Sequence, residues 1–283
     1  MQIIVGKTAG FCFGVKNAVT KATEELNKSN SIYCLGELVH NTQVTEELIE
    51  KGMKFVENID EAKDKVIIRS HGVTKDTYEK AKNKNIKLVD LTCPKVLKIH
   101  NIVEEYSKKN YYIILIGDKN HPEVIGNASF CGNDFTIIEG LEEVERALIN
   151  FKKSNKENVV VISQTTYSME KFNIIVETIK DKVPEENLEI KNTICNATKE
   201  RQEETKKIAS KVDLMIIIGG KHSSNSNKLY ELSKKYCKNV LFVETYEELM
   251  IDEIKKMEKI GIMAGASTSQ KSIENVIEKL EKM

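Results

Sequence analysis

Short, continuous apolar runs recur along the chain at residues 32–35, 66–68, 113–116, 159–162, 214–218 and 260–263. Their length and richness in β-branched residues predict strands buried on both faces, as in a parallel sheet. Between them the spacing turns helical. Val15, Ala18, Val19, Ala22 and Leu26 fall at i, i+3, i+4, i+7 and i+11 and would share one apolar helix face. Strand and helix signals alternate along the whole chain, which predicts an α/β fold.

The alternation is itself periodic when three cysteines serve as origins. After each of Cys12, Cys93 and Cys195 come a helical stretch, an apolar strand ending in glycine (Gly36, Gly117, Gly219), and a polar residue four positions on. Those polar residues are His40, His121 and Ser223, and each lies 28 residues beyond its cysteine. Acidic pairs follow at Glu57 and Glu61, Glu139 and Glu143, Glu244 and Glu248. A further strand then ends in Arg69-Ser70-His71-Gly72, Ser163-Gln164-Thr165-Thr166 or Ala264-Gly265-Ala266-Ser267. Cys93 to Thr165 and Cys195 to Ser267 are both 72 residues, whereas Cys12 to His71 is 59.

Each unit closes with a helix and a strand leading into the next cysteine, residues 86–89 into Cys93 and 188–190 into Cys195. The third unit has no such strand after it, and Ile3-Ile4-Val5 ahead of Cys12 can supply one. The expected organisation is three similar α/β domains with mostly parallel sheets in pseudo-threefold arrangement. They comprise residues 13–93, 94–195, and 196–283 completed by 1–12. This displaces the two-domain expectation that a length of 283 residues alone suggests.

Composition narrows the function. Lys plus Arg and Asp plus Glu both number 43, so net charge is zero with His neutral. That argues against a nucleic-acid partner held by a broad basic surface, and leaves room for a small anion in a local pocket. The N-terminal stretch lacks the order of a signal peptide, and no apolar run approaches the ~20 residues of a membrane span. The expectation is a cytoplasmic protein without a membrane partner. Six cysteines without a C-x-x-C pair do not read as a disulfide framework, and in a reducing compartment they suggest metal or redox chemistry.

Every polar motif of the repeat lies just past the carboxyl end of a predicted strand, where α/β sheets bind ligands. Three cysteines suggest a metal centre with one position the protein leaves open. An iron–sulfur cluster is one reading. Zinc with three cysteines and a histidine is another, although separations of 81 and 102 residues fit it poorly. Buried apolar thiols are the plain alternative, favoured for Cys34, Cys131 and Cys237, which break the repeat. His40, His71 and His121 occupy repeat positions. His100 sits in a helical stretch and suits packing or a surface, and His222 is open either way. Ser223-Ser224-Asn225-Ser226-Asn227 suits phosphate oxygens at a helix N-terminus, or a simple helix cap. Glu123, in His121-Pro122-Glu123-Val124, is a candidate proton donor or a first-turn acid favoured by the helix dipole.

The combined motifs resemble a known family. They are Gly10-Phe11-Cys12-Phe13-Gly14-Val15, Val39-His40-Asn41, Ser70-His71-Gly72-Val73, Thr92-Cys93-Pro94, His121-Pro122-Glu123-Val124, Gln164-Thr165-Thr166, Ile194-Cys195-Asn196-Ala197-Thr198, Ser223-Ser224-Asn225-Ser226-Asn227 and Ala264-Gly265-Ala266-Ser267. Together they resemble the LytB/IspH family, the 4-hydroxy-3-methylbut-2-enyl diphosphate reductases that end the methylerythritol phosphate route to isoprenoids. The resemblance implies three α/β domains around a central 4Fe–4S cluster, held by Cys12, Cys93 and Cys195 with one iron open. It implies that His40, His71, His121, Ser223, Ser224, Asn225 and Ser267 bind the substrate diphosphate, and that Thr165 and Glu123 act at the hydroxymethyl end. It further implies isopentenyl and dimethylallyl diphosphates as products. The implied electron source is a low-potential donor such as reduced ferredoxin or flavodoxin. Phe13 stands where some members have Ala, and His222 where others have Asn. A non-catalytic iron–sulfur sensor and a zinc-bearing phosphate-binding module are the competing functional readings.

Overall fold

A computed structural model describes residues 1–29 and 31–283. The chain begins with β1 (Gln2–Val5), α1 (Phe13–Lys28), β2 (Ile32–Leu35), α2 (Thr42–Glu50), β3 (Met53–Val56), β4 (Lys65–Ile68), α3 (Lys75–Asn83) and β5 (Lys87–Asp90). It continues with α4 (Pro94–Lys108), β6 (Tyr112–Ile116), α5 (Pro122–Ala128), β7 (Phe135–Ile138), α6 (Val144–Lys153), β8 (Val159–Ser163), α7 (Met169–Lys180) and β9 (Leu188–Lys191). The last third holds α8 (Asn196–Ala209), β10 (Leu214–Ile218), α9 (Ser224–Tyr236), β11 (Asn239–Val243), α10 (Ile251–Ile254), β12 (Lys259–Ala264) and α11 (Gln270–Glu281).

The strands form three four-stranded sheets, ordered β3-β2-β4-β5, β7-β6-β8-β9 and β11-β10-β12-β1, and every pairing is parallel. The three orders are the same once β1 is counted as the fourth strand of the last sheet. β1 lies in register with β12, Ile3 opposite Ile260 and Val5 opposite Ile262.

The central strands are mostly apolar because both of their faces are covered. In the second sheet Tyr112, Ile114, Ile116, Val159 and Val161 enter one core, and Ile113, Leu115, Val160 and Ile162 enter the other. The third sheet divides its residues likewise, with Ile216, Ile262 and Ala264 on one side and Met215, Ile217 and Met263 on the other. Each such burial is worth roughly 2 kcal/mol. The fourth strand of each sheet is an edge and is only half-buried.

By internal contacts the chain divides into two compact units. One comprises residues 1–19, 39–50 and 196–283, the other residues 20–38 and 51–195. The first unit contains the sheet that β1 completes, and the second contains the other two sheets. Among the described residues no helix is long and apolar enough to cross a membrane.

The repeat is real in the backbone, with two one-residue corrections. After β4, β8 and β12 the chain makes the same turn, in which Gly72, Tyr167 and Thr268 donate to the carbonyls of Arg69, Gln164 and Gly265, each at 3.1 Å. His71 therefore matches Thr166 and Ser267, while Thr165 matches Ser70 and Ala266. The 72-residue equality compared neighbouring positions, because the second repeat is one residue longer between Gly117 and this turn. The second correction concerns helix starts. His121 and Ser223 cap α5 and α9, but Asn41 caps α2, its Oδ1 accepting the Val44 N–H at 3.1 Å. His40 is the residue before the cap.

Candidate functional site

In each sheet the first and third strands are neighbours, and in the first two sheets the chain leaves them in opposite directions across the sheet. Loops diverge there and leave a crevice at the carboxyl ends. The loops after β2, β6 and β10 carry His40, His121 and Ser223; those after β4, β8 and β12 carry His71, Thr165 and Ser267. The fourth strands lead into the cysteines. Strand order alone thus explains why the candidate residues fall at strand ends.

In the unit of residues 20–38 and 51–195, Glu123 is the best-defined group. It is 2% exposed, in the first turn of α5. Thr165 donates to both carboxyl oxygens, its N–H to Oε1 at 2.7 Å and its hydroxyl to Oε2 at 2.6 Å. A hydroxyl can donate or accept. The pair can therefore hold a proton on either partner and pass it outward through Thr165 Oγ1. His121 accepts the Glu123 N–H at Nδ1, 3.1 Å away, which leaves Nε2 to carry the proton of the neutral ring. The His71 and His121 rings meet edge to face, 5.4 Å between centroids. Behind them Gln164, fully buried, accepts the Asp118 N–H at Oε1 (3.2 Å) and joins the two loops.

The other unit brings different candidates together. Ser223 caps the 13-residue α9, its hydroxyl accepting the Ser226 N–H at 3.3 Å. The positive end of that helix favours anions. Asn225, in the first turn, is 4% exposed, and its Nδ2 has no hydrogen-bond partner among the described residues. Asn227 donates to the carbonyls of Lys221 (2.6 Å) and Ser223 (3.1 Å) and so shapes the loop. The Ser224 hydroxyl accepts from Lys228 at 2.6 Å, and His222 is exposed. Ser267 donates its hydroxyl to the His40 carbonyl at 2.9 Å. A side chain at Gly220 would meet that same carbonyl at 2.8 Å, so this glycine permits the approach.

The six cysteines fall into two classes, and none forms a disulfide. Cys34, Cys131 and Cys237 are buried, with thiols directed at main-chain carbonyls. Burial pushes Cys34 and Cys131 up to about 12, so they stay protonated. Cys12, Cys93 and Cys195 are only partly buried and sit immediately ahead of α1, α4 and α8. Their N–H groups are fixed alike, bonded to the carbonyls of Ala266 (3.1 Å), Ser70 (2.9 Å) and Thr165 (3.0 Å). Each of the three is a partly buried thiol held by equivalent backbone, and cysteine thiols are the ligand type that iron–sulfur clusters take.

The family model described as LytB protein matches residues 3–281. The chain belongs to the LytB family. The LytB chain is 45% identical to the protein named 4-hydroxy-3-methylbut-2-enyl diphosphate reductase of Caldanaerobacter subterraneus subsp. tengcongensis, covering all of this chain and 98% of that one. It is equally similar, 45%, to the protein of that name from Clostridioides difficile, with full coverage of both. A solved structure of (E)-4-hydroxy-3-methyl-but-2-enyl diphosphate reductase, described as the terminal enzyme of the non-mevalonate pathway, matches with TM-score 0.71 at 40% identity and full coverage. The Plasmodium falciparum E-1-hydroxy-2-methyl-but-2-enyl-4-diphosphate reductase structure matches with TM-score 0.91 at 32% identity, covering 98% of the LytB chain and 87% of the other.

The sequence shows the acidic pairs of the repeat without showing what they do, and two further loop-shaping residues escape it. Glu143 and Glu248 accept the N–H groups of Glu139 (2.7 Å) and Glu244 (3.0 Å), and Glu61 accepts that of Asn58 (3.0 Å), so these second acids are turn-forming groups. Their four-residue spacing from the first acid was the available signal. Arg201 and Glu204 of α8 bond the loop before Cys12, and nothing in their sequence neighbourhood indicates it.

Proposed function

We propose that the LytB chain is a cytoplasmic reductase that converts 4-hydroxy-3-methylbut-2-enyl diphosphate to isopentenyl and dimethylallyl diphosphates. The observation that carries this reading is the Glu123–Thr165 pair, a buried carboxyl whose oxygens are both bonded to a residue of the facing loop. Full-length identity to proteins named for the reaction supports it. In the net reaction the carbon–oxygen bond to the hydroxyl breaks and two electrons are taken up. One proton leaves with the oxygen as water, and a second is bonded to carbon at either end of the three-carbon allyl unit. A low-potential carrier such as ferredoxin or flavodoxin would supply the electrons.

Cys12, Cys93 and Cys195 would hold one 4Fe–4S cluster, which when bound supplies single-electron transfer and, at an iron without a protein ligand, a Lewis acid. The protein's own part is binding and proton delivery. Glu123 holds the proton for the departing hydroxyl, and Thr165 Oγ1 hands it on. His121, protonated on Nε2, and His71 donate to the substrate. Ser223, Ser224, Asn225, His40 and Ser267 are assigned to the diphosphate, with the partnerless Asn225 amide as the clearest waiting donor. The three similar sheets support the domain division at 13–93, 94–195 and 196–283 with 1–12.

The test is anaerobic purification with iron and sulfide quantified, followed by turnover of the hydroxylated diphosphate under a low-potential reductant. Iron, sulfide and both products are expected. A colourless protein with stoichiometric zinc, or a loaded protein that does not turn over, would sink the proposal.

A further inference from the structure

The segment that delivers Cys12 differs from its counterparts. Two residues separate β5 from Cys93 and three separate β9 from Cys195, but six separate β1 from Cys12. A longer connection has more conformations to lose before its thiol is placed. Two side chains of α8 hold it. Arg201, 3% exposed, donates from Nε to the Thr8 carbonyl and from Nη2 to the Gly10 carbonyl, both at 2.8 Å. Glu204 accepts the N–H groups of Lys7 and Thr8 at 2.8 Å each, and the Thr8 hydroxyl at 2.6 Å. Five charge-assisted hydrogen bonds thus fall on three residues of one short loop.

The repeat shows that this clamp is not a requirement of helix packing. Arg201 lies six residues past Cys195, and the residues six past Cys12 and Cys93 are Ala18 and Ile99, buried and apolar. At Glu204's position, nine past, stand Lys21 and Ile102. A helix in this place packs well without an arginine, and burying a guanidinium has a desolvation cost. The pair is present only where the approach to the cysteine is long.

We infer that Arg201 and Glu204 are positioning residues for Cys12, fixing its loop so that the thiol is presented in one place. This rests on the reading of Cys12 as a cluster ligand. In the metal-free full-length chain, alkylation of each cysteine by iodoacetamide is followed by peptide mass spectrometry, with Cys93 and Cys195 as internal references. Arg201→Met and Glu204→Ala are expected to speed alkylation of Cys12 about tenfold and to leave the other two within about twofold, because the loop opens locally. Arg201→Lys, which reaches one carbonyl, should fall between. Thr8→Val removes one donor and is the variant to read if the others do not fold; a smaller rise confined to Cys12 is expected. Loaded anaerobically, the variants should also release iron to a chelator about tenfold faster. An unchanged Cys12 rate, or an equal rise at all three cysteines, overturns the clamp. A parent chain that holds no iron and sulfide overturns instead the ligand role of Cys12, while the alkylation pattern still decides whether the clamp holds the loop.

Discussion

Both carboxyl oxygens of Glu123 accept from one residue, Thr165. Glu123→Gln keeps the shape of the contact: the amide oxygen can still accept the Thr165 N–H, while the amide nitrogen donates to Oγ1. Only the transferable proton is lost. Turnover should fall by about 100-fold or more, with substrate affinity within about threefold, as measured by steady-state rate and direct binding of the diphosphate. An unchanged rate would remove Glu123 from the proton path. At this scale the sequence was unevenly informative. The Glu123 motif stands out by eye, whereas Thr165 was aligned with His71 and Ser267, from which the turn geometry separates it by one residue. Arg201 was illegible because its partners are carbonyl groups some 190 positions away, and a carbonyl has no residue type.

Helix caps show how function and stability share the same groups. Ser223 and Ser269 both cap helices, α9 and α11, through hydroxyls that accept an N–H three residues on. Replacing either with Ala should cost about 1 kcal/mol of stability in denaturant unfolding. Only Ser223→Ala should also raise KM for the diphosphate; an equal rise in Ser269→Ala would make the effect one of stability. The same scale holds an acid-sensitive tie between α1 and β4. Glu25 accepts from Lys28 at 2.7 Å and from Lys65, and these bonds hold its carboxyl down at about 2. A carboxyl lowered by folding stabilises above its unfolded value and loses that contribution as pH falls from about 4.5 towards 2. Glu25→Gln should therefore narrow the stability gap between pH 6 and pH 3, as read by thermal unfolding, and added salt should blunt the difference. The apolar runs made the central strands legible because burial on both faces leaves no room for alternation. The half-buried edge strands β5 and β9 were found through their position ahead of a cysteine, since their own pattern is weak.

Across the whole molecule, the strand order repeats three times, and the third copy takes its last strand from the beginning of the chain. Counting units in the sequence exposed the missing strand. Deleting residues 1–6 leaves β12 as an uncovered edge with unpaired backbone groups, which invites association between chains. The truncated chain should unfold at a lower temperature, sediment as larger species and hold less than half the parent's iron; a monomer with parental iron content would contradict this.

The pairing of β1 with β12 also sets an order of events during synthesis. Residues 2–5 leave the ribosome well ahead of residues 259–264, beside which they pair. At about 5–20 residues per second, the N-terminal strand waits some tens of seconds for the strand beside which it belongs. Cys12 waits with it, since the carbonyl that fixes its N–H belongs to Ala266. The other two sheets can form while translation continues, yet this thiol has no fixed address until β12 and Ala266 have been made. A nascent chain that stops short of Ala266 therefore cannot present all three thiols in fixed positions, and metal loading becomes an event that follows synthesis of the third sheet.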